Sequence, residues 1–400
     1  MGLRRVVVAA TVALTVAACG SAPAPQGAGG DGSAPETHSG HVHGSAPPPA
    51  VPLRDGERFL EIGLAQPYQP APPQGGTDEY RCFLIDPKLT AAAYLTGSQF
   101  LPQNTEIVHH AILYSITASE VEHARSVDTA ASGDGWQCFG GTGLAGGLES
   151  FGGGSSGETY IGGWAPGHQE ELTAELAGYP VQPGSQIVLQ VHYNLLATNG
   201  KSGPTDQSSV RLRLMPGTAA VTALHALRLP APIELPCAPT ESGPLCDRSQ
   251  ALRDLVQRTG NQASSMVYGL NTLCNRGSAP TPGPTQQCEI KVRQPVRVFS
   301  VAPHMHLLGR SMTVELNPGT PNARKLLDQP AFNFDDQSSQ PLPAPVTLNR
   351  GDTLRVTCTH DATLRAQLPE LKPLQPRYVV WGDGTSDEMC LATLTATAKL

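Results

Sequence analysis

The sequence predicts an all-β, antiparallel, exported protein, and three observations carry that prediction. Glycine and proline are abundant, at 42 and 37 residues, while only 15% of the chain is charged. This composition suits many short strands joined by many turns. Runs of alternating polarity recur in QIVLQVHYNLL (186–196), SVRLRLM, VRVFSV and DTLRVTC, with the period of two that marks a half-buried strand. Helical patterns are scarce.

The N-terminus places Arg4 and Arg5 before an apolar run from Val6 to Ala18. That run is too short to span a bilayer and has the layout of a signal peptide, residues 1–18. It ends in Val16-Ala17-Ala18-Cys19, which resembles a bacterial lipobox. Cys19 is therefore expected to become the lipidated N-terminus of a cell-envelope protein. Residues 19–55 are rich in Gly, Ala, Ser and Pro, which bury too little apolar surface to fold, so a flexible tether is expected. His38, His41 and His43 lie in it, either as incidental polar residues or as a metal-scavenging arm.

The remaining chain exceeds one typical core, so two domains are expected. MPGT (215–218) breaks the pattern after a long strand. It sets the boundary between 56–216 and 217–400. Net charge is −7 with no basic block, which argues against nucleic acid as a partner.

Nine cysteines are present. Setting Cys19 aside leaves Cys82, Cys138, Cys237, Cys246, Cys274, Cys288, Cys358 and Cys390. An even set in an oxidising compartment predicts four disulfides. None has CxxC spacing, which disfavours zinc. Cys82 and Cys138 are the only two in the first presumed domain and are expected to pair. Four more fall within 237–288, which predicts a disulfide-stapled insertion whose pairing stays open. That insertion holds the best helix candidate, RSQALRDLVQRTG, with Asp247 as its cap and Gly260 as its stop.

The histidines carry the chemistry. VAPHMHLLG (301–309) holds His304 and His306, two apart, which a strand would place on one face. IVHHAILYSI holds His109 and His110. Adjacent strand residues point to opposite faces, so both can serve one metal only at a strand end or a bulge. His192 lies on the polar face of its strand beside Gln190 and Asn194. Met389 stands directly before Cys390. Each presumed domain thus offers a close histidine pair and one distant ligand: His109, His110 and His192, then His304, His306 and Met389. A thioether is a soft ligand that selects Cu(I), and imidazole suits copper in both oxidation states. The ligand types indicate redox-active copper.

The order HHAIL, LQVHYN, HMHLLG, GTSDEMC resembles the copper type II, ascorbate-dependent monooxygenases, a family that includes peptidylglycine α-hydroxylating monooxygenase and dopamine β-monooxygenase. The resemblance covers roughly residues 78 to 395. It implies two tandem antiparallel β-sandwiches of jelly-roll type, with two copper ions facing each other across an open cleft. By this likeness His109, His110 and His192 match the electron-transfer site, and His304, His306 and Met389 match the oxygen-binding, catalytic site. It also implies a bridge between Cys358 and Cys390 behind the Met ligand. His123, His168, His225 and His360 match no ligand of the family. The family hydroxylates an unactivated C–H bond with dioxygen, and ascorbate supplies two electrons.

The departures are informative. Where peptide-amidating members carry an Arg before the HxH pair, this chain has Ala302. Where they carry Asn and Tyr after the Met, it has Leu391 and Thr393. The carboxylate-binding trio is absent, so peptide amidation is not expected. The substrate expected is a small, fairly apolar molecule. The competing class is a non-catalytic copper-binding lipoprotein. Met389 is expected to face the cleft, so that its loss changes folding only modestly.

Overall fold

Alternating sequence becomes strand nearly everywhere in the computed structural model. It describes residues 49–72, 78–138, 141–144, 157–164, 169–195, 203–259, 262–334, 336–369, 371–382, 384 and 387–398. The expected signal peptide, Cys19, His38, His41, His43, His168 and Gly260 lie outside the described residues.

The first half of the chain builds two sheets. One runs in the order Arg58–Gly63, Ser209–Pro216, Ala93–Leu101, Ala177–Val181, Thr222–Ala223, with Glu171–Leu172 also pairing with Ala93–Leu101. The other runs Trp136–Gln137, Asp78–Ile85, Gln186–Asn194, Val108–Ile116, Glu158–Trp164. The second half builds a sheet in the order His225–Pro230, Leu391–Ala396, Val296–His304, Gln340–Leu348, and another in the order Thr285–Lys291, Thr353–His360, Gly309–Leu316, Arg324–Gln329. Glu234–Leu235 pairs with Val379–Val380 as a small fifth sheet. Pairing in these sheets is antiparallel except between Thr222–Ala223 and Ala177–Val181.

Apolar side chains from paired sheets meet in common cores, and burial of that surface is the main force holding them together. Leu95 and Leu212 of the first sheet share a core with Leu113 and Leu189 of the second. Val298 and Leu394 share another with Val314 and Val356. A third cluster lies on the outer face of the second sheet. There Cys82, Tyr114, Cys138 and Val188 pack under Val121 and Ala124 of the helix Val121–Ala130. This cover corrects one expectation. Gln186–Asn194 was expected to be half-buried, yet Gln186 through Tyr193 are all buried. The strand is central in its sheet, and its polar face meets protein rather than water.

The described residues form three α-helices, Val121–Ala130, Arg248–Thr259 and Gln262–Cys274, and two short 3-10 helices, Pro244–Cys246 and Ala362–Ala366. Asp247 caps the second as expected: its carboxylate accepts from Gln250 N at 2.9 Å. The third was not anticipated. Gly269 in its middle and its scarcity of charge hide a helical pattern. Four disulfides close Cys82–Cys138, Cys237–Cys246, Cys274–Cys288 and Cys358–Cys390. The middle two answer the pairing left open and staple the two-helix segment at both ends.

Candidate metal centre

His109 and His110 occupy the start of the strand Val108–Ile116. Its register against Gln186–Asn194 shifts between Val108 and His110, so His109 is the extra residue of a β-bulge. A bulge rotates the chain locally, and that lets two consecutive side chains converge. His110 lies directly opposite His192. The Nδ1 atoms of His109 and His110 are 3.5 Å apart, and those of His110 and His192 are 3.3 Å apart. Ligand atoms of all three lie within 4.8 Å of one another.

These spacings fit a metal better than hydrogen bonds between rings. Metal–nitrogen bonds of about 2.0 Å, at angles near 110–120°, put ligand nitrogens roughly 3.3–3.5 Å apart. Three imidazole nitrogens turned toward one point also cannot share one proton, whereas a cation satisfies all three lone pairs. Burial, followed by the neighbouring His192 and His109, holds the pKa of His110 well below the ordinary histidine range. The neutral form is the one that ligates.

Tyr80 braces this set. It lies opposite His192 on the neighbouring strand and stacks on that ring at 4.1 Å with planes 6° apart. Two residues on, Cys82 ties its strand to Cys138. Sequence reasoning missed Tyr80. Its signal was there in principle, because Tyr80 lies in a strand two residues before a disulfide cysteine.

The second set is built differently. The strand Val296–His304 ends at His304, and His306 lies just beyond it. The expected placement of the HxH within one strand is therefore corrected to a strand end. The alternation still works. Met305 points into the core, while His304 and His306 face a cavity with their rings 5.2 Å apart. His304 Nδ1 lies 2.6 Å from Gln337 Oε1, and Gln337 Nε2 donates to Phe334 O at 2.8 Å. The amide is thereby oriented, so Nδ1 of His304 is the protonated nitrogen and Nε2 keeps the lone pair. His306 Nδ1 similarly faces Asp387 O at 3.3 Å. The first set converges through Nδ1; the second keeps Nε2 for a ligand. Burial, then His306, lowers the His304 pKa to about 3.

Met389 joins His304 and His306 on the wall of the same cavity. It is also buried in the second-half core at 1% exposure, which corrects the expectation that its loss is mild for folding. The Cys358–Cys390 bridge stands directly behind it. Glu388, fully buried, precedes it. Burial raises the Glu388 pKa, but His360, then His306 and the backbone N–H of Leu308, outweigh that effect and hold it below the usual carboxylate range.

The cavity measures about 690 Å³ and is lined by His109 and His110 of the first set and by His304, His306 and Met389 of the second. Phe334 stands between them, with its ring 5.5 Å from His109 and 6.4 Å from His306. Ala302 lies opposite Thr393, and His304 opposite Leu391. The three residues that depart from the peptide-amidating pattern thus sit together on the cavity wall. Most of the other walls are apolar or aromatic, including Ile112, Tyr114, Tyr160, Trp164 and Leu342. Two charged lining residues are locked away: Glu170 by Arg213, and Arg228 by Glu158 at 2.9 Å. Glu171 accepts from Gly163 N at 3.1 Å, and burial raises its pKa to about 7. Of the histidines matched to no ligand, His360 is buried beside Glu388, and His123 is half exposed on a helix near Glu120.

Residues 283–395 match the family model for the copper type II ascorbate-dependent monooxygenase, C-terminal domain. The matched stretch holds His304, His306, Cys358, Met389 and Cys390, and it supports the family together with its dependence on copper and ascorbate. No curated protein matches the chain. Solved structures resemble it only slightly. An allantoicase is 12% identical over 76% of this chain and 86% of its own, with a TM-score of 0.19. A xanthan lyase from Paenibacillus is 10% identical over 83% of this chain and 25% of its own, with a TM-score of 0.18. An allantoicase from Saccharomyces cerevisiae is 9% identical over 87% of this chain and 83% of its own, also at 0.18. Likeness at this level carries no argument about fold or function.

Proposed function

We propose that this protein is an exported copper-dependent monooxygenase that hydroxylates a C–H bond of a small, fairly apolar molecule. Dioxygen is the oxidant, and ascorbate or another one-electron reductant is the electron source. One oxygen atom enters the substrate; the other leaves as water, with two electrons from the reductant and two protons. The observation that carries this reading is the shared cavity. Residues of two chemically different ligand sets, His109 and His110 of the three imidazoles and the whole His-His-Met group, line one largely apolar chamber. A simple metal store has no need of such a chamber.

In this reading two copper ions bind. His109, His110 and His192 hold the electron-transfer ion through their Nδ1 atoms. His304, His306 and Met389 hold the catalytic one. Copper, when bound, supplies the one-electron steps that let dioxygen react. The chain supplies the rest. Burial favours the neutral form of His110 and His304, its thioether favours the reduced metal, and its apolar walls exclude water and receive an apolar substrate. The wall of Ala302, Leu391 and Thr393 offers no charge to anchor a carboxylate.

The same proposal places residues 56–216 and 217–400 in two tandem jelly-roll sandwiches. The cores shared between paired sheets support that arrangement. It also places the protein on the outer side of a membrane, held only by lipid on Cys19, with the small substrate and dioxygen as its partners. The test is ascorbate-dependent oxygen uptake by the copper-loaded protein across a panel of small apolar substrates. Uptake that depends on substrate and on both metals supports the proposal. Tight copper binding without substrate-dependent uptake returns the protein to the copper-binding class.

A further inference from the structure

Glu388 is fully buried, at 0% exposure, and its carboxylate is almost surrounded by donors. Oε2 accepts from the backbone N–H of His306 at 3.0 Å, and Oε1 from that of Leu308 at 2.6 Å. His360 Nε2 lies 3.2 Å from Oε2 and also 3.3 Å from the carbonyl oxygen of Met389. The residue whose backbone Glu388 grips, His306, and the residue next to Glu388, Met389, belong to the same proposed ligand set. They come from segments about 80 residues apart. One carboxylate therefore joins two ligands of one site, and one imidazole joins that carboxylate to the Met backbone.

We infer that Glu388, oriented by His360, is a positioning residue that sets His306 and Met389 at ligating distance from a common ion. The inference rests on the reading of His304, His306 and Met389 as a copper site. Burying a charge is costly unless it is fully paired, and nothing in the sheet pairing calls for a carboxylate here. Glu234 provides the contrast. It is equally buried, but it accepts from Arg248, Asn271 and Tyr378, and no proposed ligand is among its partners.

The experiment compares wild type, Glu388→Gln and Glu234→Gln. Cu(I) affinity is measured at each site by competition with a chromophoric chelator, and X-ray absorption reads the copper–sulfur contribution. Partners that orient metal ligands typically contribute about 10–100-fold to affinity. Glu388→Gln is expected to weaken the sulfur-containing site by about that factor and to diminish the sulfur signal, leaving the three-histidine site within about twofold. Glu234→Gln is expected to lower the melting temperature without changing either affinity. Should Glu388→Gln not fold, His360→Phe and His360→Gln replace it. The first removes the donor and should weaken the same site; the second restores a donor and should rescue it. A wild type that holds copper beside sulfur, with variants that hold it equally well, overturns this inference alone. Equal weakening by Glu388→Gln and Glu234→Gln also overturns it. A wild type with no copper beside sulfur overturns the site reading and this inference with it.

Discussion

Met389 carries two loads. Its sulfur is the soft donor of the proposed second site, and its side chain fills part of a core. Met389→Ala is expected to remove the second copper and turnover while the three-histidine copper stays. It should also cost about 2–5 kcal/mol of stability, as buried Met→Ala changes do. Met389→His keeps a ligand but favours Cu(II), so copper should persist while activity falls. Copper content, melting temperature and oxygen uptake measured together separate these outcomes. Full activity and two tightly held coppers in Met389→Ala reduce Met389 to packing. Glu171 makes a different prediction. Its folded pKa is raised by burial to about 7, against 4.5 for the free side chain. Between those values the folded protein holds a proton that the unfolded chain has lost, so stability falls as pH rises through that window and levels off above it. Thermal melts from about pH 5 to 8 should show this slope in wild type and a flatter one in Glu171→Gln. Parallel slopes place the titration elsewhere.

At the scale of elements, the strand Val108–Ile116 shows what sequence can and cannot reveal. Alternation identifies the strand, and the HH pair demands a bulge or a strand end. Only the register shows that the bulge falls at His109. Likewise, the alternation in 186–196 is visible but the helix covering its outer face is not, because tertiary contact decides which polar faces meet water. Cysteine position anticipates the Cys82–Cys138 bridge and the family resemblance implies Cys358–Cys390, while the inner pairs depend on how two helices fold back, which no spacing specifies. Gln337 and Phe334 reach the sites through loop geometry, so nothing local marks them, and Tyr80 meets His192 only through cross-strand pairing. The Cys82–Cys138 bridge anchors the strand that stacks Tyr80 on His192. Replacing both cysteines by Ala should cost about 2–4 kcal/mol and weaken copper at the three-histidine site more than at the other. Calorimetry with the same chelator competition checks both, and equal affinities at both sites would detach the bridge from the metal. Asp247→Ala, which removes a helix cap, should cost about 1 kcal/mol and leave copper binding alone.

At the scale of the whole molecule, residues of two unlike ligand sets line one chamber. Phe334 narrows the space expected to be an open cleft between them. Histidine types and order pointed to the two sets, but the chamber between them arises only when both halves of the chain are folded together. The most direct test is metal analysis combined with copper X-ray absorption on the reduced, copper-loaded protein. Two copper equivalents are expected, with one sulfur neighbour shared between them on average, and sulfur and one equivalent are lost together in Met389→Ala. A single equivalent, or two held by nitrogen and oxygen alone, would contradict the two-site reading.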